Sequence, residues 1–471
     1  MLKSAKSRHR PAAKAESAFG ANGALEAFVK SLFGRPEAPH VQPGKSFIVR
    51  RAFVLVTLVI LLAGCRKSER AEETRNSPTA SASVSASAAP VMAYVDPPLG
   101  DVQRGKSLVV KFECNRCHAL TDVEAPVLEK DCVRCHQQIH DGTYKASATT
   151  LVKWQKNIVH FRDTPSLAGI GGRLRRGFIE QFLLDPRDMR PHTDTSMPRL
   201  DLSPDEARDI ATYLTAGSVP AKPVSLDGAS VERGGGLFEQ KGCRLCHEYT
   251  GAPRATLPAG VQPLEGTGER RGHALAPDLR YARDRMNVGE IIRWLEDPKA
   301  VNPDTAMPKT PLLPEEIRDL AAFLVKQDLA AKVNKPIPAR LPVLTRKVSY
   351  EEVSKRVFRN TCWHCHAEPD YAIGDGGPGN TGGLGFKPRA LNLAEYEGIQ
   401  AGYVDDKGDR RSVFTPMPDG TPRLVYALLA RYREEAGQRD PAMRGMPMGL
   451  PSVTLEDIQL VETWIAQGRP Q

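Results

Sequence analysis

The sequence predicts an all-α fold, three tandem helical units behind a disordered N-terminal tether. Three observations predict it. The pentapeptide Cys-x-x-Cys-His occurs four times, at residues 114–118, 132–136, 243–247 and 362–366. Three of the copies follow stretches of helical apolar period, and a capped helix closes each unit at matched spacing. The pentapeptide is itself a covalent haem attachment pattern. Two thiols one helical turn apart add to the two vinyl groups of one porphyrin, and the adjacent His points at the iron. A redox dithiol or half a zinc site would also use Cys-x-x-Cys, but four copies each followed at once by His fit neither. The expected cofactor set is therefore four haem c, attached through Cys114 and Cys117, Cys132 and Cys135, Cys243 and Cys246, and Cys362 and Cys365. The proximal ligands are His118, His136, His247 and His366.

A chain of 471 residues allows about three domains. Aromatic residues make up only 6%, sparse for self-sufficient cores, but a haem supplies a large apolar core element of its own. Of nine cysteines, eight lie in the four motifs, which leaves only Cys65 and no pair for a disulfide framework. The net charge of +9 is concentrated at the start: residues 1–64 hold ten Lys/Arg and three Glu, leaving +2 for the rest. A basic nucleic-acid footprint is excluded on that distribution.

Residues 1–64 read as a leader and signal peptide. Arg50 and Arg51 precede the apolar run 52–62, and small residues follow, the order of a secretory signal. The run, about eleven residues, is short of the roughly 20 a membrane-spanning helix needs. Leu62-Ala63-Gly64-Cys65 resembles a bacterial lipobox. That resemblance implies lipidation of Cys65, which becomes the first residue after cleavage, and it accounts for the ninth cysteine. The 49 residues before Arg50 exceed a normal n-region, so translation starts later than Met1 or a further leader is present. Residues 65–98 then form the lipidated Cys and a low-complexity tether, with Ser-Ala-Ser-Val-Ser-Ala-Ser at 81–87. As a random coil of about 33 residues it spans roughly 30 Å.

Three units follow, at 99–219, 226–332 and 345–471, with Pro/Ala-rich joints at 218–225 and 333–343 between them. Helical stretches at 101–112, 230–238 and 349–358 lead into the first, third and fourth motifs, so each of these motifs is expected to close a helix. Downstream, Phe178-Ile179, Phe182-Leu183 and Asp185-Pro186 recur as Ile291-Ile292, Trp294-Leu295 and Asp297-Pro298, and Met197-Pro198 recurs as Met307-Pro308. The closing helices start at Ser203-Pro204-Asp205-Glu206, at Pro314-Glu315-Glu316, and at Thr454 to stop at Gly468. Met197 to Tyr213 and Met307 to Phe323 are each sixteen residues.

This order of N-terminal helix, haem motif, Pro-x-Leu loop, helix, Met-Pro and C-terminal helix resembles the class I cytochrome c fold over nearly all of 99–471. The resemblance implies terminal helices that cross beside the haem, and a Met sulfur opposite the proximal His. It also implies a loop Pro, here Pro165 and Pro277, whose carbonyl meets that His. By this resemblance Met197 and Met307 are iron ligands, and the chain is a multihaem cytochrome c lipoprotein. For the fourth haem, Met446 keeps the Met-Pro pair in a Met-Pro-x-Gly-x-Pro run known from multidomain bacterial cytochromes. Met448 keeps the sixteen-residue spacing to Trp464, and Met417-Pro418 is a third candidate. Met189 and Met286 read as core filler.

The first unit departs from the pattern. His247 to Pro277 is 30 residues, but His118 to Pro165 is 47, and the second motif lies inside that interval. It reads as a second haem on an enlarged loop, near the first because only eighteen residues separate Cys114 from Cys132. It has no Met-Pro of its own. His160 is the preferred sixth ligand; His140 and His192 are alternatives, His140 hampered because a helix would put it on the same side as His136. Bis-His ligation would leave this haem at lower potential than its Met/His neighbours. The Gly-rich stretch 374–385 reads as a loop insertion without a phosphate cradle. His364 is expected to face solvent, and His273 has no evident partner.

Filled axial positions leave iron no vacancy for a substrate, so the expected function is electron transfer. The expectation is a non-enzymatic tetrahaem lipoprotein in the bacterial cell envelope. Its lipid anchor lies in the inner or outer membrane and its haem domains in the periplasm. It would exchange electrons with redox partner proteins such as a membrane oxidoreductase, a soluble cytochrome or a terminal oxidase. The alternatives are a peroxidase-like haem enzyme, which needs one vacant sixth site, and the cytochrome subunit of a membrane-associated dehydrogenase.

Overall fold

The structure, a computed structural model, describes residues 96–471 except 120–121, 157, 159–161, 194–196, 258, 263–268, 368–389 and 406. The leader, the lipobox with Cys65, the tether up to residue 95, His160 and the Gly-rich stretch therefore lie outside the described residues. What is described is mostly helical. Strand is limited to a hairpin of two-residue strands, β1 (Tyr403–Val404) and β2 (Arg410–Arg411), paired antiparallel. No helix among the described residues is long and apolar enough to cross a membrane.

In the first segment α1 (Val102–Lys111) begins where the Asp101 carboxylate accepts from the Arg104 amide at 2.8 Å. The helix α2 (Cys132–His140) and α3 (Ala148–Gln155) lie in the enlarged loop. They share a small core of Cys135, Ile139, Leu151 and Trp154. The helices α4 (Arg176–Leu184) and α5 (Pro204–Thr215) complete the segment. α5 has the capping box read from sequence, Ser203 and Glu206 bonded reciprocally with Pro204 in the first turn. α4 has no cap of its own; the Asp96 carboxylate accepts from the Gly177 amide at 3.1 Å, and the Pro98 carbonyl accepts from Arg176 at 3.0 Å. The last residues assigned to the tether, 96–98, are thus fastened to α4 rather than free.

The second segment repeats the plan with α6 (Val231–Gln240), the short α7 (Arg270–Leu275), α8 (Val288–Glu296) and α9 (Pro314–Lys326). Its core packs Phe238, Tyr249 and Phe323, with Phe323 edge-on to Tyr249 at 5.2 Å. The α1/α5 and α6/α9 crossings are alike. A Cβ at Gly105 would lie 2.7 Å from the carbonyl carbon of Asp209, and at Gly234 it would lie 2.6 Å from that of Asp319. Only glycine lets the backbones meet so closely.

The third segment opens with α10 (Tyr350–Val353), which runs on as a π-helix, Ser354–Cys362. It closes with α11 (Arg423–Glu435) and α12 (Leu455–Ala466), capped at Thr454. Trp464 is fully buried against the rings of Tyr350, Phe358, Tyr396 and Phe414.

Contacts between segments do not follow chain order alone. The first meets the second through Arg175 N–H to the Arg285 carbonyl and Asp278 N–H to the Met189 carbonyl, both 2.8 Å. It meets the third through Arg199, whose guanidinium donates to the carbonyls of Asp440 (3.0 Å) and Met443 (2.9 Å). Arg439 donates to the Leu184 carbonyl at 2.8 Å, and Arg444 pairs with Asp201 at 2.9 Å.

Candidate functional site

The first and third motifs are built alike. α1 ends at Lys111 and Glu113 turns left-handed (φ 50°), starting a tight turn at Cys114. α6 ends at Gln240 and Gly242 does the same (φ 72°) before Cys243. His118 and His247 amides then bond back to the carbonyls of Cys114 (2.9 Å) and Cys243 (3.0 Å). This closes the turn, so both thiols and the imidazole project from one loop.

Each imidazole is held by the loop proline. His118 Nδ1–H donates to the Pro165 carbonyl at 2.8 Å, and His247 Nδ1–H to the Pro277 carbonyl at 2.9 Å. The intervals differ, yet the geometry is the same. The loop is pinned one turn later: Leu167 N–H bonds the Ala119 carbonyl at 3.1 Å and Leu279 N–H the Glu248 carbonyl at 2.9 Å. With Nδ1 protonated, Nε2 keeps its lone pair for a metal. Burial pushes both imidazoles below their ordinary pKa, against the prolyl carbonyls; Arg190 adds to the effect at His118 and Arg285 at His247. Both rings are thus neutral, as ligation demands. Burial likewise raises the thiols of Cys114 and Cys243 to about 11 and that of Cys362 to about 12.

The second motif opens a helix, whereas the fourth closes one, as read from the sequence, but by a different entry. Cys132 opens α2, with the Asp131 carboxylate capping at the Arg134 amide (3.0 Å), and His136 lies buried inside the helix. The fourth motif enters through the π-helix without a left-handed break. The interaction of the Cys117 and Cys132 thiols pushes Cys132 down and Cys117 up. The turns of the first two motifs meet where Arg116 Nε donates to the Lys130 carbonyl at 3.0 Å.

The expected sixth ligands are placed as follows. Met197 and Cys114 pack on the same core cluster of the first segment. In the second segment, Gly272 of α7 lies between Cys246 and Ala306: a Cβ there would be 3.8 Å from Cys246 Sγ and 3.5 Å from the Ala306 carbonyl oxygen, next to Met307. In the third, Met446 and Cys362 pack on one core, and the Met446 amide donates to the Ala427 carbonyl at 2.9 Å. Met417 instead lies by Arg423, its sulfur 4.0 Å from that guanidinium, at a cleft of about 250 Å³ beside the hairpin. His140 shares α2 with His136, its side chain is half exposed, and it bonds Asp141 at 3.1 Å. His192 stacks on His273 with ring centroids 3.9 Å apart, 3.9 Å from a Glu248 oxygen. His273 thus has a partner after all, and His192 is engaged with the second segment. His364 is half-buried rather than solvent-facing. Burial, then His136 and Arg116, push its pKa down to about 4.

One group escaped the sequence reading. Arg173, Arg190 and Arg285 gather where the first two segments meet. Burial lowers the pKa of Arg285 to about 10, with Arg190 and Arg173 adding to the effect. Its Nε is buried with no hydrogen-bond partner. Arg173 donates to the carbonyls of Ser166 (3.0 Å) and Ala168 (2.8 Å), and Arg190 to that of Asp163 (2.8 Å). Three cations so placed call for an anion. A signal was available: Arg173 stands eight residues after Pro165, as Arg285 does after Pro277.

Residues 231–328 match the family described as Cytochrome c. They form a c-type cytochrome domain. The domain implies covalently bound haem c and haem-based electron transfer. No curated protein and no solved structure matches the chain. The residues present fit the cofactor: free thiols one turn apart, a neutral imidazole with its Nε2 available, and the orphaned Nε of Arg285 near the His247 pocket. In the enlarged loop the buried Trp154 Nε1–H is likewise without a partner.

Proposed function

We propose that the chain is a tetrahaem c-type cytochrome that carries electrons. The carrying observation is that two motifs at unequal loop lengths reach the same His Nδ1–prolyl carbonyl bond. An iron porphyrin held by two axial ligands supplies a one-electron change and no substrate site. The chain's residues do the rest. The carbonyls of Pro165 and Pro277 orient His118 and His247. Met197, Met307 and Met446 would also hold the irons of the first, third and fourth haems, and His160 that of the second. Apolar packing keeps water from the sites, and Arg173, Arg190 and Arg285 face the cofactors' carboxylates. The three segments are three cytochrome c-like domains. Cys65 is lipidated and holds the haem domains at a membrane of the cell envelope, on the periplasmic side. The partners are a membrane oxidoreductase and a soluble cytochrome or terminal oxidase.

The reading is tested on the purified holoprotein by pyridine haemochrome quantification and by EPR of the oxidised form. Four haems per chain, all low-spin, are expected. A stoichiometric high-spin haem that reacts with peroxide would overturn the carrier in favour of an enzyme. His160→Ala should convert one haem alone to high spin.

A further inference from the structure

Arg116 fills a variable position of the first Cys-x-x-Cys-His, and it is only 2% exposed. An arginine is buried to that degree only when its donors are used. Its Nε donates to the Lys130 carbonyl at 3.0 Å, two residues before Cys132 opens the second motif. Its Nη1 pairs at 3.0 Å with Glu113, the left-handed residue that admits the chain to the first motif. One guanidinium therefore holds the first and second attachment turns together.

We propose that Arg116 is a positioning residue that clasps the first and second attachment turns together, so that their two sites are fixed neighbours in space. The inference rests on the reading of these motifs as haem sites. A planar fork of donors can hold two turns at a fixed angle, which a lysine cannot. A buried positive charge common to both sites also favours the reduced form of each, because reduction removes one positive charge from the iron.

The test uses the full-length holoprotein with Arg116→Gln and Arg116→Lys, measured by haem count, spectroelectrochemical titration and thermal unfolding. Met197→His marks the midpoint of the first motif and Met307→His that of the third. Arg116→Gln should lower two midpoints, the first among them, each by a tenfold change in its reduction equilibrium, about 59 mV for one electron. The third should stay. Arg116→Lys keeps the charge but not the fork, so its midpoints should stay near wild type while unfolding occurs at lower temperature, as for Gln. A shift confined to the first haem, or shared equally by all four, overturns the clasp. A wild-type chain holding other than four haems refutes the attachment reading itself; four haems with unmoved midpoints refute only the clasp.

Discussion

The helix crossing in the second segment and the one in the third occupy the same place in the repeat and solve it differently. In the second, Gly234 meets the backbone at Asp319, and Asp319 accepts from the Ser230 amide (2.7 Å) and pairs with Arg233 (2.7 Å). The first segment does the same with Gly105, Asp209, the Asp101 amide (2.8 Å) and Arg104. Aligned on the helix caps and on Phe323 and Trp464, the third has Val353 for the glycine, Leu460 for the aspartate and Glu352 for the arginine. All three members change together. Val353 and Leu460 are buried in the core, while Glu352 turns away to Arg346 (2.6 Å). A close backbone crossing needs the carboxylate to satisfy the helix's first amide; a crossing spaced by side chains does not. The residues are legible as one device only when all three positions are compared.

The comparison is broken most directly at the glycine. Gly234→Ala puts a Cβ against backbone rather than a flexible side-chain end, so the helices must separate. The expected loss is about 3 kcal/mol or more, read by denaturant unfolding of the holoprotein. Val353→Ala, at the equivalent position, only removes buried methyls and should cost about 1–2 kcal/mol. If Gly234→Ala is the milder of the two, close approach is not what that glycine provides.

The carboxylates give the next largest effect and a pH signature. The hydrogen bond from Arg104 holds Asp209 below the usual carboxylate range, with burial opposing. Asp319 is also lowered: burial opposes there too, but Arg233 and the Ser230 amide prevail. A folded pKa below the unfolded value near 3.9 means that the contribution is present above that pH. It is lost as pH falls through the folded value. Stability of the first two segments should therefore drop as pH falls below about 4, and the Leu460 site has nothing to titrate there. Asp319→Ala should cost about 1–3 kcal/mol at neutral pH, because the Ser230 amide loses a buried acceptor, and it should flatten the acid limb. An acid limb unchanged in Asp319→Ala would show that the pair contributes nothing.

Much of this architecture could be read before the fold was seen. Ser203-Pro204-Asp205-Glu206 announces its helix because capping is a local affair between residues three apart, and the Pro165 and Pro277 contacts are ones that the resemblance to class I cytochrome c implies. What stayed hidden depends on residues brought together over long separations. Arg116 looks like an ordinary surface residue until Glu113 and Lys130 close over it. His192 and His273 find one another only because the first two segments pack together. Arg173 and Arg285 carry a repeat signal, but nothing in either stretch says that Arg190 joins them. The π-helical entry to Cys362 also lacks a local marker, since its apolar residues fit a regular helix as well.

That entry provides the smallest and most local comparison. Gly242 turns left-handed to start the third motif, and Glu113 holds the same conformation ahead of the first. The equivalent residue in the fourth motif, Thr361, lies within the π-helix and makes no such turn. An L-residue in that region costs roughly 1–2 kcal/mol, and Glu113 offsets part of it through its bond to Arg116. Alanine has no such partner to offer. Gly242→Ala should therefore cost about 1 kcal/mol, and Thr361→Ala should stay within about 0.5 kcal/mol of wild type. Haem content should remain unchanged in both, because neither side chain touches a thiol. Equal effects at the two positions would mean that the break before Cys243 is incidental to how a motif is entered. A larger loss at Gly242, with haem retained, would show the left-handed turn to be the joint that lets a helix stop and its attachment loop begin.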